Sequence, residues 1–185
     1  MKTEFLKWET TSKVEVFRES LFSIVEKKCW HPDKRIRHRF FSMETPDWVN
    51  VVPITSDGRI LLIKQHRLGT DEVTLETPGG IVDPGESPEA AASRELKEET
   101  GYQAERIQFM NKLAANPAIM NNHIHFYIAA GCVQTGAPTP DVAEDIAVET
   151  FRPTEITAML GHGVISHAIV VTALLLYFSR EILQG

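Results

Sequence analysis

Gly79-Gly80-Ile81-Val82-Asp83-Pro84-Gly85-Glu86-Ser87-Pro88-Glu89-Ala90-Ala91-Ala92-Ser93-Arg94-Glu95-Leu96-Lys97-Glu98-Glu99-Thr100-Gly101-Tyr102 is the stretch on which the reading of this chain turns. A glycine turn runs into a short helix with the usual boundary signals. Ser87 is placed to cap it, Pro88 suits the first helical position, and Glu89 complements the positive end of the dipole. Gly101 follows the last helical residues, where a left-handed glycine ends a helix. Ala92 and Leu96 form a narrow apolar stripe to set against a sheet. Glu95, Glu98 and Glu99, spaced i, i+3 and i+4, fall on one face and repel one another. No lysine or arginine lies close enough in sequence to neutralise all of them. A hard divalent cation, which prefers oxygen ligands, is the natural remedy. Arg94 stands four residues before Glu98 and can also reach back to Glu86, holding the loop against the helix.

A Glu-rich helix alone reads as a solvated face. Here Gly80, five residues, Glu86, seven residues, and the run from Arg94 to Tyr102 together resemble a complete Nudix box, with every fixed position filled. The resemblance implies a Nudix α/β/α sandwich, an α/β fold with a mixed sheet between helices. It also implies hydrolysis of a diphosphate with Mg²⁺, for which Mn²⁺ can substitute. In relatives the carbonyl at the place of Gly79 is a metal ligand. The implied ligand set is therefore Gly79 through its oxygen, Glu95, Glu98 and Glu99. Arg94 and Glu86 orient that set, and Glu98 and Arg94 are counted with the catalytic residues.

The remainder of the chain bounds the possibilities. Its 185 residues, 43% of them hydrophobic, suit one ordinary domain with an appendage. A net charge of −6 argues against a dedicated nucleic-acid surface, yet it allows a phosphate substrate where cations screen the acids. Cys29 and Cys132 match no metal or redox spacing and read as buried free thiols in a reducing compartment. Residues 1–8 show no signal-peptide pattern, and the apolar run 164–178 is short for a membrane span. A soluble, cytoplasmic protein without a membrane partner is expected.

Segments 13–17, 21–29 and 35–43 read as short strands that cannot bury much surface by themselves. Residues 1–45 are thus an N-terminal β appendage and 46–185 the main domain. In the branch of the family that resembles ADP-ribose pyrophosphatases, such a sheet takes part in a dimer, which implies a homodimer here. Segments 48–55 and 59–66 read as a hairpin about Asp57-Gly58. The run ending Gln65-His66-Arg67 resembles the Gln-aromatic-Arg strand end of that branch. Arg67 is either a phosphate contact, through its forked guanidinium, or a surface ion pair. Glu76 in Glu76-Thr77-Pro78-Gly79-Gly80 either binds substrate or pairs with an arginine in the sheet. Trp48, Phe17 and Trp30 are aromatic candidates for stacking on a base, with nothing to choose among them.

After the box, 107–113 and 123–130 read as strands. Pro117, fifteen residues after Tyr102, marks the same branch and is taken as a substrate contact. The surrounding run Asn116–Asn122 departs from the Ser-Pro-Gly usual there, which suits a broader or shifted nucleotide-sugar specificity. His123 and His125 share a strand face; they read as a cleft or surface pair or, with a further ligand, as metal ligands. Residues 134–145 form a loop ending in Asp141-Val142-Ala143-Glu144-Asp145 before a strand at 147–152. The resemblance implies a catalytic base in this loop: Glu144 first, then Asp141 and Asp145. A short helix from Pro153 and a long one over 162–182 close the chain.

The expected activity is Mg²⁺-dependent cleavage of the pyrophosphate bond in nucleoside diphosphate sugars such as ADP-ribose or GDP-mannose, giving a nucleoside monophosphate and a sugar phosphate. The substrate partner is a small nucleotide sugar, not a nucleic acid. Two alternatives stand beside it. One is a Nudix pyrophosphatase for a dinucleoside polyphosphate, coenzyme A or a damaged nucleoside triphosphate. The other is a non-catalytic domain that senses a nucleotide sugar, against which the full set of box glutamates argues.

Overall fold

The computed structural model describes residues 7–142 and 144–184. They form two compact units. One runs to Pro46 and takes in Ala114–His123; the other holds Asp47–Leu113 and the chain from Ile124 onward.

The first unit is an antiparallel sheet in the order β1 (Glu9–Arg18), β2 (Ser23–His31), β3 (Ile36–Glu44). These strands fall where the alternating segments place them, the first longer at both ends and the other two shifted slightly toward the C-terminus. The middle strand buries Ser23, Val25 and Cys29, whereas every residue of β1 is exposed. The segment 114–123 is stitched to the end of β3. Met43 N–H donates to the Ile119 carbonyl at 2.8 Å, Asn121 N–H to the Met43 carbonyl at 3.3 Å, and Thr45 N–H to Asn121 Oδ1 at 3.0 Å.

The second unit is built on a mixed sheet. Its elements are β4 (Trp48–Thr55), β5 (Ile60–Arg67), β6 (Glu72–Glu76), α1 (Pro88–Thr100), β7 (Tyr102–Gln103), β8 (Arg106–Ala114), β9 (His123–Gln134), β10 (Ile146–Phe151), α2 (Pro153–Gly161) and α3 (Ala168–Gln184). Strand order is β10-β5-β4-β9-β7, with β6 beside β5 and β8 beside β9. β4 and β9 are parallel, while β5 is antiparallel to both β6 and β10. Helix α1 sets Ala91, Ala92 and Leu96 against Val49, Val51, Leu61, Tyr127 and Ala129. The alternate residues Val52, Ile60 and Leu62 point to the opposite face and are equally buried. Helix α3, with Val170, Ala173 and Leu174 buried, also packs against β4. The sheet is thus covered on both faces, as the expected sandwich requires.

One local expectation holds, one is corrected and one strand was missed. The turn at Asp57-Gly58 forms, with Gly58 at φ +78° and Thr55 N–H bonded to the Arg59 carbonyl at 2.9 Å. The two flanking strands are antiparallel neighbours, as a hairpin requires, with Ile54 paired to Ile60. On its other side β4 runs parallel to β9, because a nearly continuous apolar strand is best buried between two neighbours in the sheet centre. The long last helix begins at Ala168 rather than at 162, since Gly163 adopts φ +69° and breaks the helical run before it. Strand β6 was not apparent from the sequence, where Val73-Thr74-Leu75 is too short a pattern to stand out. No described helix is long and apolar enough to cross a membrane, and Cys29 and Cys132 are buried free thiols.

Leu96 is the main apolar anchor of α1 on the sheet. Leu96→Ala is expected to lower the unfolding free energy by about 2–5 kcal/mol, read from urea denaturation at constant m. A loss below about 1 kcal/mol would show that α1 is held chiefly by its polar contacts.

Candidate active site

Helix α1 begins and ends as its sequence dictates. Ser87 Oγ accepts the Ala90 N–H at 3.1 Å, and Gly101, at φ +75°, returns its N–H to the Lys97 carbonyl at 2.8 Å. Between these caps the acidic face is organised by Arg94. One of its terminal nitrogens, Nη1, donates to Glu95 Oε1 at 2.8 Å and to Glu98 Oε2 at 3.0 Å. The rest of the guanidinium grips both oxygens of Glu86, at 3.1 and 3.0 Å, and the Ile81 carbonyl at 3.0 Å. The loop is thereby fastened to the helix. Bonding to Glu86 first, then to Glu95 and Glu98, holds the guanidinium charged against the cost of its partial burial.

Glu99 is the carboxylate that Arg94 does not serve. It is 2% exposed, and the Gly79 N–H donates to its Oε2 at 2.9 Å. Burial pushes its carboxyl up to about 8; the Gly79 N–H opposes this, and the charges of Glu95 and Glu144 add to it. Burial likewise raises Glu95, with Arg94 opposing and Glu98 and Glu144 adding. Glu98, its side chain 43% exposed, stands at the rim. The glycine turn is packed tightly enough to exclude side chains. A Cβ on Gly80 would lie 2.3 Å from Glu95 Oε1, and one on Gly79 would lie 2.3 Å from the Val49 carbonyl.

Among the described residues no three carboxylate, imidazole or thiolate side chains stand together as a closed metal cage. The donors still fit a hard cation. Glu95 and Glu99 are oxygen donors that burial and mutual repulsion leave short of positive charge, beside a turn whose backbone comes within contact of both.

Glu144, half-buried, is the loop acid whose charge bears on Glu95, Glu99 and Arg67. Its N–H donates to the Asp141 carbonyl at 2.9 Å, and its Oε2 accepts the Asp141 N–H at 3.2 Å. Arg67 and Glu76 meet in a forked pair, Nε to Oε1 at 2.8 Å and Nη2 to Oε2 at 2.7 Å, with Thr74 Oγ1 donating to the same carboxylate. Burial works against the ionised Glu76, but Arg67 and Thr74 outweigh it and keep the carboxyl below its ordinary value. Pro117 is carried by the segment 114–123 of the first unit. Of the histidines, His125 Nε2 lies 2.8 Å from Asp47 Oδ2, which Lys112 Nζ also approaches at 3.3 Å. Phe17 packs on Phe22 in the first unit, with ring centroids 5.9 Å apart. Thr74 and His167, whose charge favours ionised Glu76, were missed. The β5–β6 register brings Thr74 to Gln65 and Glu76 to Ile63, and no local pattern announces that pairing.

Comparison with known proteins gives the family. The sequence profile described as the NUDIX domain matches residues 44–173, and the chain belongs to that family. It is 36% identical over 86 residues to the methanol dehydrogenase activator of Bacillus methanolicus, covering 46% of each chain. It is 28% identical over 124 residues to the ADP-ribose pyrophosphatase of Bacillus subtilis (strain 168), covering 67% of this chain and 66% of that one. The chain thus spans between 46% and 66% of the length of these curated relatives. A crystal structure of an ADP compounds hydrolase superimposes with a TM-score of 0.87 at 26% identity, over 99% of both chains.

The raised carboxyl of Glu99 has a thermodynamic consequence. Between its ordinary value of 4.5 and about 8 the folded chain binds a proton that the unfolded chain does not, so stability falls as pH rises through that window. In the presence of a chelator, Glu99→Gln is expected to raise Tm at pH 8 and to change it little at pH 4.5. Mg²⁺ is expected to close the gap at pH 8. Equal Tm shifts at both pH values would show that burial does not strain Glu99.

Proposed function

We propose that the protein is a divalent-metal-dependent hydrolase of the pyrophosphate bond in nucleoside diphosphate sugars, ADP-ribose foremost. The observation that carries the proposal is the pair of carboxylates at the glycine turn, Glu95 bonded to Arg94 and Glu99 to the Gly79 N–H, with the charge of Glu144 bearing on both. Support for the substrate class comes from the relative named as an ADP-ribose pyrophosphatase and from the full-length likeness to an ADP compounds hydrolase.

Glu95, Glu99 and the Gly79 carbonyl, with Glu98 at the rim, would hold Mg²⁺, or Mn²⁺ in its place. When bound, the cation neutralises the diphosphate and acidifies the attacking water. Arg94 and Glu86 keep the carboxylates oriented and do not themselves enter the reaction. Arg67 offers its fork to the phosphate oxygens, and Glu76 holds that fork flat until they arrive. Glu144 takes the proton of the water that attacks one phosphorus. The bridging oxygen leaves with the other phosphorus, so the products are a nucleoside monophosphate and a sugar phosphate.

A Mg²⁺-supported panel of ADP-ribose, GDP-mannose, dinucleoside polyphosphates and coenzyme A tests this reading. AMP and ribose 5-phosphate in equal amounts from ADP-ribose are expected. Preferential turnover of the non-sugar compounds would overturn the substrate class. Glu99→Gln is expected to remove nearly all Mg²⁺-dependent turnover without unfolding the chain. Glu144→Gln is expected to lower kcat by about 10²–10⁴-fold with KM little changed. If Asp141→Asn or Asp145→Asn does so instead, the base lies elsewhere in the loop.

The proposed assembly is a homodimer through the N-terminal sheet. By strand register Val14 and Phe41 both flank Glu26, while Phe17 and Met43 flank Ile24, so these residues share one face. Val14, Phe17 and Phe41 are about half exposed there, an apolar surface suited to a partner. Light scattering is expected to give twice the chain mass for the wild type and the chain mass for Val14→Asp/Phe41→Asp. A wild-type monomer at micromolar concentration would refute the dimer.

A further inference from the structure

The last turn of α1 does more than end a helix. Like any α-helix, it leaves its final carbonyls without partners in its own ladder. One of them is taken by the loop after β9: the Glu98 carbonyl accepts the N–H of Thr139 at 2.7 Å. The carbonyl of Gly101, the residue that caps the helix, accepts the N–H of Thr135 at 2.9 Å and of Gly136 at 3.2 Å, with Thr135 Oγ1 at 3.4 Å. The pairing Tyr102↔Gln134 and Gln103↔Val133 brings the two chain segments side by side at this point. Gly101 is therefore constrained twice. Its φ of +75° is left-handed, and a Cβ added there would lie 2.3 Å from the Gly136 carbonyl oxygen. Asparagine, which elsewhere tolerates left-handed backbone, would meet that oxygen too.

The same loop carries Glu144. Beyond Thr139 it is pinned again where Ile146 pairs with Gln65 of β5. Between these two anchors Pro140 restricts the backbone at its own position, and the Glu144 N–H bonds the Asp141 carbonyl at 2.9 Å.

We propose that the C-terminal turn of α1 is the seat that positions the carboxylate loop, with Gly101 and the Thr139 N–H as positioning groups. Helix α1 then presents Glu95 and Glu99 on one side and fixes the place of Glu144 through its carbonyls on the other. Glu98 serves both ends, its side chain bonding Arg94 and its carbonyl holding the loop. The proposal rests on the assignment of Glu144 as the base, and it adds what holds that base at its working distance.

The test is Thr139→Pro. Thr139 sits between Pro138 and Pro140, and a residue before proline is already confined to extended backbone, so the substitution chiefly deletes the N–H. Expected are a loss of about 10–100-fold in kcat with KM changed less than about threefold. Tm and the Mg²⁺ concentration for half-maximal rate are expected to stay at wild-type values. In Thr139→Pro/Glu144→Gln the two losses are expected not to multiply, because the clamp acts through the carboxylate. Wild-type kcat in a folded Thr139→Pro protein overturns the proposal, as does full multiplication of the two losses. If Glu144→Gln alone keeps its kcat, the base assignment fails, and the clamp is then decided by Thr139→Pro alone. Should Thr139→Pro not fold, amide exchange in the wild type decides: protection of Thr139 matching that of the last turn of α1 supports the clamp, and open-loop exchange overturns it.

Discussion

A single guanidinium among three glutamates is the contact on which the site depends. Arg94 reaches Glu86, Glu95 and Glu98 together, and it also holds the Ile81 carbonyl of the incoming loop. Removing that cation would leave like charges on adjacent helical turns, a destabilising arrangement even on an exposed helix. Its planar fork matters as much as its charge, because four partners in different directions require donors of fixed geometry. A lysine could neutralise the group but could not shape it.

The arrangement is deliberately incomplete at Glu99. Arg94 does not reach it, the sheet shuts out water, and the Gly79 N–H supplies one hydrogen bond where a buried carboxylate needs more. The result is a carboxyl pushed up to about 8 by its burial. Two neighbouring acids thus stand in different surroundings: Glu98 at the rim, bonded to Arg94, and Glu99 in the interior, where the Gly79 N–H bonds it. The glycine turn completes the division, since any side chain at position 80 would displace Glu95.

Around this helix the structure is a set of anchors. Leu96 and the alanines fix α1 to the sheet, its first turn is held by Ser87, and its last turn receives the loop after β9. On the other side of the site the Arg67–Glu76 fork lies across β5 and β6, flat and charged on a half-buried surface. Its two members counter each other's desolvation, which keeps both charged on the half-buried surface.

The sequence by itself determined α1 almost completely, along with the acid face, the Arg94–Glu86 contact and the strands of the N-terminal sheet. These are local matters, set by caps, by the 3.6-residue period and by spacings of three, four and eight residues. It also pointed to both members of the Arg67–Glu76 pair and left their meeting open. Only the tertiary structure decided that question, because the pair depends on the register of β5 with β6, a strand too short to announce itself. The same holds for β4, whose turn to its neighbour β5 is local but whose other neighbour, β9, comes from far along the chain, with Trp48 paired to Ile124. The difference between Glu98 and Glu99 is likewise tertiary: on the helix they are adjacent acids, and burial against the glycine turn makes one of them a buried, raised carboxyl. The opening glutamates are legible because repulsion at i, i+3 and i+4 is written in the chain. Their different burial is not, because it depends on which side of the helix the sheet covers.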